Sequence, residues 1–167
     1  MARAHPTMAL RPYLPADAPL LAEIFRAAIE ELTTDDYGPA QQAAWASAAD
    51  DEAAFAKRLA DQLTLIATLE GSPIGFVSLR GSDEIDMLYV HPAVAGQGVA
   101  TMLLDALEKL AASRGTKKLI VDVSDTARSL FEKRGYVGQR RNTVIRGEEW
   151  LANTTMEKPL AAQGSAP

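Results

Sequence analysis

The order of apolar patterns along the chain predicts an α/β (α+β) protein, with one mixed, twisted sheet of six to seven strands and about four flanking helices. Three observations lead there. Short apolar runs bounded by turn residues recur at 8–14, 63–69, 74–80, 84–90, 117–123, 136–146 and 149–157. Longer stretches with apolar residues three and four apart lie between them, the spacing of an amphipathic helix. Finally, 167 residues with 47% apolar and 23% charged side chains suit one globular domain with a sizeable core.

Each element has its own warrant. "MALRPYL" reads as a first strand. "DAPLLAEIFRAAIEEL" reads as a helix with Asp17 as its cap and Leu20, Leu21, Ile24, Phe25, Ala28, Ile29 and Leu32 on one face. After "TTDDYGP" a second helical region runs from about Ala40 to Gln62, broken near Asp50–Asp51. "LTLIATL", "EGSP" and "IGFVSLR" predict a hairpin with a loop of about four residues, and "EIDMLYV" a further strand. The next helix carries Val99, Met102, Leu103, Ala106, Leu107 and Leu110 on one stripe and stops at Gly115. "KKLIVDV" is a strand, "SDTARSLFEKRG" a capped helix ending on Gly135, and two strands complete the order. The domain is expected to span 8–158, with 1–7 and 159–167 as flexible ends.

Composition removes several function classes. There is no cysteine, so disulfides, thiolate metal sites and a cysteine nucleophile are excluded, and two histidines, His5 and His91, are too few for a zinc site. No metal is expected. The balance of 17 basic and 22 acidic residues, net −5, speaks against nucleic acid as a partner. No apolar run approaches a membrane span and "MARAHPTMAL" lacks a signal-peptide core, so a cytoplasmic protein with no membrane partner is expected.

The segment "MLYVHPAVAGQGVATMLLDALEKL" carries the chemistry. An apolar strand meets Gly96 and Gly98 just before a strongly patterned helix. A helix N-terminus presents unpaired N–H groups and the positive end of the helix dipole, and glycine lets an anion come close. A P-loop lysine is absent, and Thr101 stands where a dinucleotide fold needs its third glycine. On the residues alone, a phosphate cradle and a tight turn before a helix both stay open.

"IDMLYVHPAVAGQGVATMLLDALEKLA" resembles the acetyl-CoA segment of the GNAT superfamily, the GCN5-related N-acetyltransferases, whose pattern is Arg/Gln-x-x-Gly-x-Gly/Ala at a strand-to-helix junction. Gly98 and Ala100 match its last two fixed positions, while Ala95 replaces the Arg or Gln. "VDVSDTARSLFEKRGY" is similar to the second signature, Asn-x-x-Ala-x-x-x-Tyr-x-x-x-Gly-Phe, through Ala127, Gly135 and Tyr136. Within the superfamily the chain is most similar to the small bacterial YafP-like branch. The resemblance implies a GNAT fold and acetyl-CoA as cosubstrate, with a small-molecule amine as acceptor. It leaves homodimerisation open, as it does an acyl-CoA-binding module with little catalysis. It further implies that backbone at Leu88, Tyr89 and Val90 holds the pantetheine arm. Ala95, Gly96, Gln97, Gly98, Val99, Ala100 and Thr101 would hold the pyrophosphate, with Ser124 and Phe131 near the sulfur.

Acetyl transfer to an amine needs a base, because an amine of pKa about 10.4 is almost wholly protonated at pH 7. Phe131 stands where the family carries its acidic Tyr, so that role is vacant in the motif. The strand before the loop offers Asp86 and Glu84 as bases, expected to share one face with Leu88, while Ile85, Met87 and Tyr89 share the other. Tyr89 is the candidate replacement acid. Tyr37, Trp45, Trp150 and Asn153 are expected to wall the acceptor pocket.

Overall fold

The computed structural model describes residues 7–161, so the expected free ends at 1–6 and 162–167 lie outside the described residues. Thr7 accepts a hydrogen bond from Glu70 N–H, and Leu160 N–H reaches Lys117 O at 2.7 Å.

Seven strands form one sheet: β1 (Met8–Pro12), β2 (Leu63–Leu69), β3 (Ser72–Arg80), β4 (Glu84–Val90), β5 (Lys118–Ser124), β6 (Val137–Arg146) and β7 (Glu149–Pro159). Their order is β1-β2-β3-β4-β5-β7-β6, antiparallel except for the parallel pair β4–β5. The described residues contain five α-helices: α1 (Ala18–Leu32), α2 (Pro39–Ala46), α3 (Glu52–Ala60), α4 (Val99–Ser113) and α5 (Arg128–Lys133). Helices α1 to α3 bury Leu21, Phe25, Ile29, Phe55 and Leu59 against Ile66, Phe76 and Met87 on one sheet face. On the other face, α4 and α5 bury Leu103, Leu104, Leu107 and Phe131 against Ala67, Val77, Leu79 and Val121. Gly75 lets α4 approach closely: a Cβ there would lie 3.1 Å from both Val99 Cγ1 and Tyr89 O.

The local encoding departs from the sequence pattern in five places. Asp17 does not cap α1; its carboxylate takes Arg11 Nη1 and Nη2 at 2.7 and 2.8 Å and Leu14 N–H at 2.8 Å, a bidentate ion pair that outcompetes a single cap bond. Leu20 and Leu32 sit at the margins of the α1 stripe and are exposed. The β2–β3 loop is two residues, not four, because Glu70 and Gly71 both take positive φ (49° and 86°) and form a tight hairpin turn. Helix α5 starts only at Arg128, since Ser124 Oγ accepts Ala127 N–H and closes a turn first.

The fifth departure is a β-bulge. Ser78 pairs with Met87 but Leu79 pairs with Ile85, so Asp86 is an extra residue in β4. The expected alternation breaks there: Ile85 joins Leu88 and Val90 in the α4-side core, while Asp86 turns to α3.

Candidate active site

Strands β4 and β5 pair only at Glu84↔Ile120 and Ile85↔Val121, then separate. Beyond Ile85 the sheet is open, and both candidate cavities lie at this gap. His91 N–H reaches Ile74 O, continuing the β3–β4 ladder. In an antiparallel ladder alternate residues share a bonding edge, so Tyr89 and Met87 also bond toward β3. The backbone groups of Leu88 and Val90 consequently face the gap.

The glycine loop leads from β4 into α4. His91 Nδ1 accepts Ala93 N–H and starts a 3₁₀ turn over Pro92–Val94, a structural role for this histidine. Ala95 is extended, Gly96 has φ 78° and Gly98, the N-cap of α4, has φ 84°. A Cβ on either glycine would meet no protein atom within 4 Å. The glycines are therefore there for their left-handed backbone, and the surface above them is open. The first helical bond is Met102 N–H to Gly98 O, which leaves the N–H groups of Gly98, Val99, Ala100 and Thr101 without intrahelical acceptors. An anion fits these amides.

Beside the loop lies a mainly apolar cavity of about 200 Å³, bounded by Leu88, Val90, Ala100, Ala127, Leu130 and Phe131. Phe131 is buried and packs edge-on against Tyr136 at 5.0 Å between centroids. Tyr136 donates to Glu108 at 2.9 Å, and burial pushes its hydroxyl pKa up. Neither residue offers an acid to the gap.

A second cavity, about 250 Å³ and lined largely by charged and aromatic groups, opens beyond the gap. Tyr37 and Trp45 form one wall and pack edge-on, 5.4 Å between centroids. Tyr37 is pinned: its hydroxyl donates to Ala152 O at 2.6 Å and accepts Asp125 N–H at 2.9 Å. Asn153 lines the same cavity, with its Oδ1 taking Asn142 Nδ2 at 2.9 Å. The floor is charged. Asp86, with a side chain only 8% exposed, accepts from Arg58 Nε and Nη2 (2.7 and 3.0 Å), Gln62 Nε2 (2.8 Å) and Arg80 Nη2 (2.7 Å). Burial alone would raise its pKa, but these donors and the two guanidinium charges win and hold it below the usual carboxylate range. Among the described residues the half-open side chain of Glu84 accepts one hydrogen bond, from Arg80 Nη1 at 3.0 Å.

The two cavities meet at Trp45, Ile85, Asp86, Tyr89, Asp122 and Ser124, which line both. Tyr89 packs against Phe25 and Phe76, its hydroxyl accepts Trp45 Nε1–H at 3.1 Å, and burial pushes its pKa up to about 12. It stays protonated, with its own proton free to donate.

The fold thus assembles Asp86, Glu84, Tyr89, Tyr37, Trp45 and Asn153 around one cavity. Trp150 is the exception. It is 64% exposed, because β7 turns Leu151 inward and Trp150 outward beside the exposed Ile145. Only its carbonyl does work, accepting Gln41 Nε2 at 2.7 Å. The sequence reading missed Arg58, Arg80, Asp122 and Arg146, all of which line the cavity. Asp122 carried a signal, an acid inside the apolar run "KLIVDV"; the arginines are scattered over three elements and carried none. Among the described residues, no cluster of three or more His, Asp or Glu is disposed to hold a metal, and no helix is long and apolar enough to cross a membrane.

Comparison with known proteins bears on this geometry. Residues 33–160 match the Acetyltransferase (GNAT) domain family. The chain is 34% identical over 147 residues to YafP of Escherichia coli (strain K12), described as an uncharacterized N-acetyltransferase, covering 88% of this chain and 93% of that one. It is similar to a GCN5-related N-acetyltransferase of Rhodopseudomonas palustris at 63% identity, with a TM-score of 0.90 over 96% of this chain and 99% of that one. The PaiA N-acetyltransferase of Thermoplasma acidophilum, solved with coenzyme A, shares the fold at 19% identity, with a TM-score of 0.78 over 92% and 99% of the two chains. A splayed parallel strand pair, an open amide cradle and a family match across most of the sequence agree, and the chain belongs to the GNAT family of N-acetyltransferases.

Proposed function

We propose that this acetyltransferase moves the acetyl group of acetyl-CoA to the amine of a small molecule, by direct attack with both substrates bound. The observation that carries this reading is the pair of cavities meeting at Tyr89 across the β4–β5 gap. The residues present fit the cosubstrate. The amides of Gly96 and of Gly98 to Thr101 suit the pyrophosphate, while the Gln97 N–H is taken by Val94 O, and the free strand edge at Leu88 and Val90 suits the amide groups of the pantetheine arm. The apolar cavity near Ser124 and Phe131 suits the thioester. Ala95 contributes no side-chain donor, so the loop would bind through its backbone.

In the transfer, the amine nitrogen forms the new C–N bond, the C–S bond breaks, and its electron pair leaves on sulfur. The amine releases two protons in all, one of which ends on the thiol. Asp86 has its lone pairs taken by four donors, so its role is to hold Arg58 and Arg80 in place. Of the cavity's two other carboxylates, Glu84 and Asp122, Glu84 beside Arg80 is the one assigned to accept the amine proton, directly or through water. Tyr89 O–H would hydrogen-bond the departing sulfur. With a pKa about 12 against about 8.5 for a thiol, it stabilises the thiolate more than it hands over its proton.

The test is thiol release from acetyl-CoA over a panel of small amines, with the acetylated product identified by mass spectrometry. Glu84→Gln should lower kcat by about 10²-fold or more, in the usual range for a general base, with acetyl-CoA affinity unchanged. Acetyl-CoA binding without turnover of any amine would instead favour the acyl-CoA-binding module, for which the buried Phe131 speaks.

A further inference from the structure

Pairing off the charges around the 250 Å³ cavity leaves two over. Arg58 is matched by Asp86, and Arg80 by Asp86 and Glu84. Arg146 lines the same cavity with an exposed side chain that, among the described residues, makes no ion pair and reaches only Ile145 O, at 3.5 Å. Asp122 lines that cavity from β5, and among the described residues its side chain accepts only the Thr155 hydroxyl, at 2.6 Å. One positive and one negative group, each without an ionic partner among the described residues, therefore line one space.

We infer that the acceptor is a zwitterion of the amino-acid type, its carboxylate paired with Arg146 and its ammonium held by Asp122. This rests on the acetyl-transfer reading above and names the acceptor class for that same site. Position supports the assignment. Asp122 also lines the apolar cavity, so an amine held there sits at the junction where the acyl carbon would be presented. It stands two residues along β5 from Ile120, the register partner of Glu84, which brings the amine within a strand spacing or two of the base. Arg146 does not line the apolar cavity, which puts the carboxylate at the far end. A guanidinium fork is matched to a carboxylate and binds it bidentately.

Charge and size narrow the class. One unpaired guanidinium beside three carboxylates offers room for one negative charge, so a carboxylate fits better than a dianionic phosphate. At ~30 Å³ per water the cavity holds about eight waters, which suits a single amino acid. Tyr37 and Trp45 provide an aromatic wall for its side chain.

The experiment is a kcat/KM survey of the common L-amino acids, each beside its carboxamide, with acetyl-CoA affinity measured by calorimetry on the same preparations. The expected result is at least one acid preferred over its amide by about ten- to a hundredfold, the range of a charge-assisted contact. In Arg146→Gln that ratio should collapse toward one, chiefly through KM, and Arg146→Lys should recover part of it. If acetyl-CoA binds and amines are acetylated with no preference for the acid, or Arg146→Gln leaves the ratio intact, the zwitterion assignment is wrong and the transfer reading stands. If acetyl-CoA does not bind, both fall.

Discussion

The glycine loop and the charged cavity lie at the same gap in the sheet but are built from different materials. On the loop side the working groups are main-chain amides, aimed by positive φ at Gly96 and Gly98 and by the first turn of α4, all within one short run. On the cavity side they are side chains from α2, α3 and five strands, each held by another: Asp86 by Arg58, Gln62 and Arg80, and Tyr89 by Trp45. A backbone site would tolerate loss of a side chain, such as the Arg or Gln that Ala95 replaces. A side-chain network does not, because removing one member strands the charge or dipole of the next.

Breaking the network should show that contrast at its largest. Asp86→Ala removes the partner of two guanidinium groups and should cost about 2–4 kcal/mol at pH 7, toward the low side of buried-pair values because Arg80 is half exposed. Urea unfolding measures it. The folded-state pKa of Asp86 lies below its unfolded value, so its stabilisation is full above about pH 5. It is lost as pH falls through the unfolded and then the folded pKa, and the gap between wild type and variant should narrow steadily in acid. A gap that widens in acid would mean that the carboxylate is not held ionised.

On the loop side, Gly98→Val forces a β-branched residue to φ 84° and should cost about 1–2 kcal/mol of stability. Acetyl-CoA affinity should fall at least tenfold, as seen by calorimetry, because the amides of the first turn are displaced. An unchanged affinity would show that the loop is only a helix start. Ala95→Arg sharpens the comparison from the other direction. A guanidinium beside an already complete amide cradle should tighten acetyl-CoA by about three- to tenfold, with the gain shrinking at high salt. Smallest of all, Trp150→Ala should change stability by less than about 0.5 kcal/mol and leave both substrates' affinities alone, since the ring touches neither cavity.

The same contrast explains what the sequence made legible. The order of strands and helices was readable because apolar period and glycine stops are local signals; Gly115 ends α4 with Thr116 N–H on Ala111 O and Gly115 N–H on Ala112 O, as a helix-stopping glycine should. The glycine loop was readable for the same reason. The acceptor side was legible only in part. Tyr37, Trp45 and Asn153 stood out as aromatic or polar residues in otherwise bland stretches, but Trp150 looked the same and faces outward. Its direction depends on strand parity in β7, which no single residue announces. Asp86 was singled out as a mid-strand acid, yet the β4 bulge, invisible to a period-two reading, turned it into the hub of an ion-pair network. Arg58, Arg80 and Arg146 are ordinary surface arginines until the chain folds.

The most direct test is amide chemical-shift mapping on isotope-labelled protein titrated with coenzyme A and then acetyl-CoA. The account predicts saturable shifts, with one dissociation constant, at Leu88 and Val90 on the gap edge and at Gly96, Gly98, Val99, Ala100 and Thr101 in the loop, while Ile145 and Trp150 stay still. Silence at the loop amides, with shifts elsewhere or none, would contradict it.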